Sequence, residues 1–289
     1  MPYAPTRDGV NLYYEEAGSG SPILFVHEFA ADYKSWEPQM RYFARRHRCI
    51  TYSARGYTPS DIPAAGSAYT YEHFRDDVIA VLDHLKIARA HIVGLSMGGY
   101  STLGVGLKYP DRALSLTLAG TGSGSETGAT EEFRRASRET AAAFESRGMA
   151  AVAGEYGNGP TRVPFEVKDP RGHREFLEAL AAHDAQGSAH TMRNFQGGRP
   201  PVHAFEDEIK RLTLPVLIVV GDEDDPCIEP SLYLKKHIAT SGLAMLAKTG
   251  HTCNLEEPAL FNEIVADFIA RVEAGRWPAR DPRSIRTAK

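Results

Sequence analysis

The decapeptide HIVGLSMGGY, His91 to Tyr100, sets an apolar run against a turn of small residues and then a helical pattern. At its centre stands Gly94-Leu95-Ser96-Met97-Gly98, a serine with a glycine two positions before it and another two after. A sharp strand-to-helix turn strains its central residue and exposes the hydroxyl at the strand's end, so both flanking positions must be nearly free of side chain. The stretch therefore predicts a strand, a nucleophile elbow at Ser96 and a helix, which together make one βα unit of a parallel sheet.

The same rhythm extends in both directions. Toward the N-terminus, Val10 to Glu16, Ile23 to His27 and Cys49 to Ser53 read as strands, and Trp36 to Arg46 and Tyr71 to Leu85 as helices. In the second helix Phe74, Val78, Val81, Leu82 and Leu85 recur at spacings of three and four, an apolar face that should cover the sheet. Toward the C-terminus a strand at Leu114 to Ala119 runs into GTGSGSETG, after which the texture is helical to about Leu212 with no strand pattern. Strands resume at Leu214 to Gly221 and Leu243 to Ala247, with a helix at Tyr233 to Ile238 and a last one from Pro258. The organisation expected is an α/β core in two parts, 1–121 and 213–289, interrupted by a helical insertion over 122–212. The tail beyond Gly275, with Arg276, Arg280, Arg283, Arg286 and Lys289, is expected to fray in solvent.

Composition narrows the function. The 289 residues are 42% hydrophobic and 24% charged, globular values, and the net charge of −4 provides no basic footprint for nucleic acid. The opening MPYAPTRDGV has no apolar h-region, and no window reaches the roughly 18 apolar residues of a membrane span. Cys49, Cys227 and Cys253 are odd in number and far apart, which suits neither a disulfide framework nor a CxxC metal site. The expectation is a soluble, cytoplasmic protein acting on a small molecule, with no nucleic-acid or membrane partner, no metal and no cofactor. Its oligomeric state is not written in the sequence.

A serine hydroxyl needs a neighbouring base to take its proton and a third group to orient that base. Both candidates lie downstream at strand ends. VVGDEDDPC ends a buried-looking strand in a glycine and four acids, Asp222 to Asp225, and AKTGHTCNLEEP places His251 after Gly250 and just before the last helix. Serine, acid and histidine in that chain order match the α/β-hydrolase arrangement.

From about residue 8 to 272 the chain resembles an α/β-hydrolase-fold serine hydrolase with a helical cap, on a mostly parallel twisted sheet flanked by helices. The resemblance implies catalytic Ser96, Asp224 and His251, with Asp225 as the alternative acid, and an oxyanion hole at the amides of Phe29 and Met97. The family's His-Gly oxyanion turn becomes His27-Glu28 here, and its Asp-x-Arg-Gly loop keeps Arg55 but has Ser53 in place of the aspartate. A charged Glu28 beside an oxyanion hole is expected to turn away and pair with a cation, Arg55 being the candidate, or to meet the site protonated. His27 is expected to be a structural donor in the turn. GLSMGG resembles the esterases and enol-lactonases, so cleavage of a carboxylic ester or lactone leads. Carbon-carbon bond hydrolysis of a vinylogous diketone, or slow-turnover binding as a receptor, are the alternatives. Phe133, Phe144, Met149, Tyr156, Phe165, Phe176, His190, Met192 and Phe195 are the large side chains that the insertion offers for pocket or core.

Overall fold

A computed structural model describes residues 2–285, so Arg286 and Lys289 of the tail lie outside the described residues. Among the described residues eight strands form one sheet: β1 (Tyr3–Pro5), β2 (Asn11–Ala17), β3 (Pro22–Val26), β4 (Arg48–Tyr52), β5 (Ala90–Leu95), β6 (Ala113–Ala119), β7 (Val216–Gly221) and β8 (Ser241–Leu246). Their order is β1-β2-β4-β3-β5-β6-β7-β8. β1 and β2 pair antiparallel, β2 also runs antiparallel to β4, and every pairing from β4 through β8 is parallel.

Alternation along β3 shows how the layers form. Ile23 and Phe25 face one side, against Trp36, Met40 and Phe43 around helix α1 (Glu37–Phe43) and Phe261, Val265 and Phe268 of helix α12 (Pro258–Glu273). Leu24 and Val26 face the other, with Phe74, Val78 and Val81 of helix α2 (Tyr71–His84) and Leu103 and Val105 of helix α3 (Met97–Lys108). Because both faces are covered, the inner strands read as unbroken apolar runs rather than as alternating ones.

Between β6 and β7 the described residues form helices only: α4 (Thr130–Arg147), α5 (Met149–Gly157), α6 (Val163–Lys168), α7 (Pro170–Ala181), α8 (Ala185–His190) and α9 (Glu206–Arg211). Helix α10 spans Asp225–His237, eight residues earlier in its start than the pattern suggested, and α11 is a single turn, Cys253–Glu256. Pro226 sits in the first turn of α10, where no amide is needed, and Pro230 inside it forgoes only the bond to the Pro226 carbonyl. The start of the tail does not fray. Trp277 packs edge-on against Phe268 with ring centroids 4.6 Å apart, and its Nε1 donates to the Thr240 carbonyl at 2.8 Å. The Arg280 amide then reaches Ala239. A half-buried tryptophan that packs its ring on the core and satisfies its N–H anchors a segment whose charges alone suggested solvent.

Candidate active site

Ser96 lies between the end of β5 and the start of α3 with φ 55° and ψ −112°, one of three non-glycine residues at positive φ among the described residues. Its amide donates to the Ala119 carbonyl on β6, and its own carbonyl accepts from Tyr100, so strand and helix hold it from both sides. The flanking glycines are obligatory. A Cβ on Gly94 would run into the Gly98 carbonyl, and one on Gly98 would run into the Val26 carbonyl at the end of β3. Tight contact with β3 is what fixes the serine at the sheet's C-terminal edge.

Two further strand ends bring the acid and the base together. Asp224 follows β7 and His251 follows β8; the His251 Nδ1 lies 2.8 Å from Asp224 Oδ2, both buried. Asp225 is the first, exposed residue of α10, and it is Asp224 that meets the imidazole. Burial would push the Asp224 carboxyl up, but the charge and hydrogen bond of His251 outweigh it and hold the carboxyl low. Burial likewise opposes the imidazolium of His251, yet Asp224 prevails and its pKa stands above the ordinary value. The backbone N–H of His251 donates to Thr161 of the helical insertion at 2.8 Å, which pins the histidine loop from above.

In the turn after β3, His27 is a brace. Its Nε2 accepts from the Ala54 amide at 3.0 Å, leaving Nδ1–H to donate to the Glu28 carbonyl at 2.6 Å. Burial lowers its pKa to about 4, so the ring is neutral. The amides of Phe29 and Met97 meet no acceptor among the described residues. Glu28 does not pair with Arg55. The Arg55 guanidinium is held by Asp77, at 2.8 and 2.6 Å, and by Asp8, which turns it toward α2 and away from the site. Glu28 instead forms a buried ion pair with Arg162 of the insertion, and its Oε2 lies 3.9 Å from His251 Nε2. The carboxylate thus faces the site with its charge balanced, and the Ser53 hydroxyl closes its own loop by donating to the Thr58 carbonyl at 3.4 Å, while its backbone carbonyl accepts from Ser60 Oγ.

Ser96, Asp224 and His251 open on one cavity of about 220 Å³. The insertion supplies Phe133, Tyr156 and Met192 to its wall, with Arg162 and Arg199. Phe144, Met149, Phe165, Phe176 and Phe195 are core residues instead. The two arginines escaped the sequence reading, whose only available signal, helical periodicity, says nothing about which side chain meets a distant turn. Cys227 also sits close, its Sγ 3.1 Å from Ser123 Oγ and 3.9 Å from His251 Nδ1. Donor atoms of Asp224, Cys227 and His251 lie within 4.8 Å of one another. A metal there would have to break the Asp224–His251 hydrogen bond and deprotonate a thiol that burial pushes well above its usual pKa.

The sheet order and the comparisons give the chain the α/β-hydrolase fold, and it is similar to esterases and enol-lactonases. The family model described as alpha/beta hydrolase fold matches residues 21–145. The 3-oxoadipate enol-lactonase 1 of Acinetobacter baylyi is 26% identical over 270 residues, covering 92% of this chain and 96% of its own. The solved enol-lactonase of Burkholderia xenovorans LB400 superposes with a TM-score of 0.79 at 24% identity, over 93% of this chain and 100% of that one. Est816, described as an N-acyl homoserine lactone degrading enzyme, is 28% identical with a TM-score of 0.78, over 92% and 100% of the two chains.

Proposed function

We propose that the protein hydrolyses a carboxylic ester or lactone of a small molecule through an acyl-enzyme on Ser96. The observation that carries this reading is the strained Ser96 opening on the same cavity as His251, whose far nitrogen is held by Asp224. In this reading Ser96 Oγ attacks the carbonyl carbon while His251 Nε2 takes its proton, and Asp224 fixes the tautomer and stabilises the imidazolium. The amides of Met97 and Phe29 receive the charge on the carbonyl oxygen; losing one such donor costs about 3 to 4 kcal/mol of transition-state stabilisation. His251 then protonates the leaving alkoxide, and water activated by the same nitrogen releases the acid. For a lactone, acid and alcohol leave as one molecule.

The reading also gives Glu28 a place. A bare carboxylate near the oxyanion would oppose it by roughly 4 kcal/mol for charges 4 Å apart at an effective dielectric of 20. Pairing with Arg162 removes that cost and leaves a dipolar group beside His251. Residues 122–212 act as the cap, supplying the arginine and most of the wall above Ser96. The experiment is hydrolysis of short p-nitrophenyl esters and simple lactones by wild type and Ser96→Ala, with fluorophosphonate labelling followed by peptide mapping. Activity and label should both vanish in the variant. Wild-type rates in Ser96→Ala would refute the assignment.

A further inference from the structure

We propose that the cavity takes a substrate bearing a carboxylate remote from the scissile carbonyl, and that Arg199 binds this group. The inference rests on the ester or lactone reading of the same site and narrows its substrate class. Arg199 is 7% exposed and lines the cavity that Ser96 and His251 share. Among the described residues no carboxylate comes within ion-pair distance of it, and Glu126 acts on it only from farther away. Arginine does not shed its proton in proteins, so this is a buried cation without an ion-pair partner among the described residues. Buried charges are paired or coordinated, because an unpaired one is costly out of water.

Arg162 provides the internal contrast. It lines the same cavity with comparable burial, but Glu28 already neutralises it. The protein therefore balances one of its two cavity arginines and leaves the other for something that arrives. Arg199 is also preorganised. Its Nε donates to Gln196 Oε1 at 3.0 Å and Nη2 to the Ser123 carbonyl at 2.7 Å. The guanidinium lies 4.6 Å from the Tyr100 ring centroid and 5.1 Å from that of Phe133. These contacts fix its plane and leave Nη1 with no partner among the described residues, a geometry suited to a carboxylate.

The test compares p-nitrophenyl half-esters of succinate, glutarate and pimelate with neutral p-nitrophenyl esters of matching length, in wild type, Arg199→Met and Arg199→Lys. Wild type should favour at least one anionic ester over its neutral match. Arg199→Met should raise KM for that ester by about 30-fold or more, with little change for the neutral one, and Arg199→Lys should recover part of the loss. Equal losses on both esters would make Arg199 purely structural and overturn the proposal, as would a wild-type preference for every neutral ester. Should Arg199→Met not fold, free glutarate and its homologues are tested as inhibitors of neutral-ester hydrolysis by wild type against the corresponding diamides. Inhibition by a diacid alone supports the site, and equal or absent inhibition refutes it. If no ester is hydrolysed at all, the ester reading has failed separately. Calorimetry of Ser96→Ala with the same diacids then decides the anion site, no binding by any of them overturning it.

Discussion

His251 is approached by two carboxylates, Asp224 at Nδ1 and Glu28 toward Nε2, and only the first makes a hydrogen bond to it. Asp224→Asn should lower kcat by about 10⁴-fold, because the histidine then adopts the wrong tautomer, while Asp225→Asn on the exposed start of α10 should leave it nearly unchanged. Steady-state kinetics on one ester checks both, and equal small effects would place the acid elsewhere. In the proposed mechanism His251 must be neutral to act as a base, so its raised pKa should put the acid limb of kcat/KM above the ordinary value of about 6.5. Burial opposes that shift, Asp224 is its main source and Glu28 adds to it. Glu28→Gln should therefore keep turnover but move the limb to lower pH. It should also destabilise the fold by about 3 to 5 kcal/mol by leaving Arg162 buried without its counter-charge. A Glu28→Gln enzyme as dead as Ser96→Ala would instead make Glu28 an acid or base in its own right. Ser96, Asp224 and His251 were legible in the sequence because each sits at a strand end marked by glycine. Glu28 was visible as an anomaly, but its partner was not: Arg162 is 134 residues away, and only the docking of the insertion brings it there.

The elbow couples three elements, and its tolerance is set by backbone rather than side chains. Gly98→Ala would drive a methyl group into the Val26 and His27 carbonyls, so α3 and β3 would have to part at the point that positions Ser96. Thermal or denaturant unfolding should show a loss of about 3 kcal/mol or more, with activity falling in parallel. An unchanged melting temperature would mean that the turn relaxes freely. The inner strands β3 to β7 were readable because a sheet covered on both faces needs continuous apolar runs. Elements too short to run through two periods were not: β1 has three residues and α11 four. The first turns of α10 were hidden by acids and prolines that suit a helix N-terminus but break an amphipathic pattern.

Across the whole molecule, stability should carry the signature of histidines buried neutral. Burial is the leading cause in each case, placing His27 at about 4, His91 at about 4 and His183 at about 3. In the unfolded chain each titrates near 6.5. Between these values the unfolded state binds protons that the native state does not, so stability is complete above about 6.5 and declines as pH falls toward the folded values. Each group contributes roughly 3 to 5 kcal/mol to that decline when it is complete. His251 works in the opposite sense. Its raised pKa adds stability that is complete below about 6.5 and lost as pH rises through the folded value, so it is constant across the acid decline and leaves that slope unchanged. His183 offers the cleanest test, since it lies between α7 and α8 of the insertion with its ring edge-on to Tyr57, 5.2 Å away, and both its nitrogens lack partners among the described residues. His183→Leu removes two unsatisfied polar atoms along with the titration. Denaturant unfolding followed from pH 7 to 4 should therefore give a shallower loss of stability than wild type, with little change at pH 7. An identical slope would show that His183 takes up its proton in the native state as readily as in the unfolded chain, and that the seam between insertion and core admits water there.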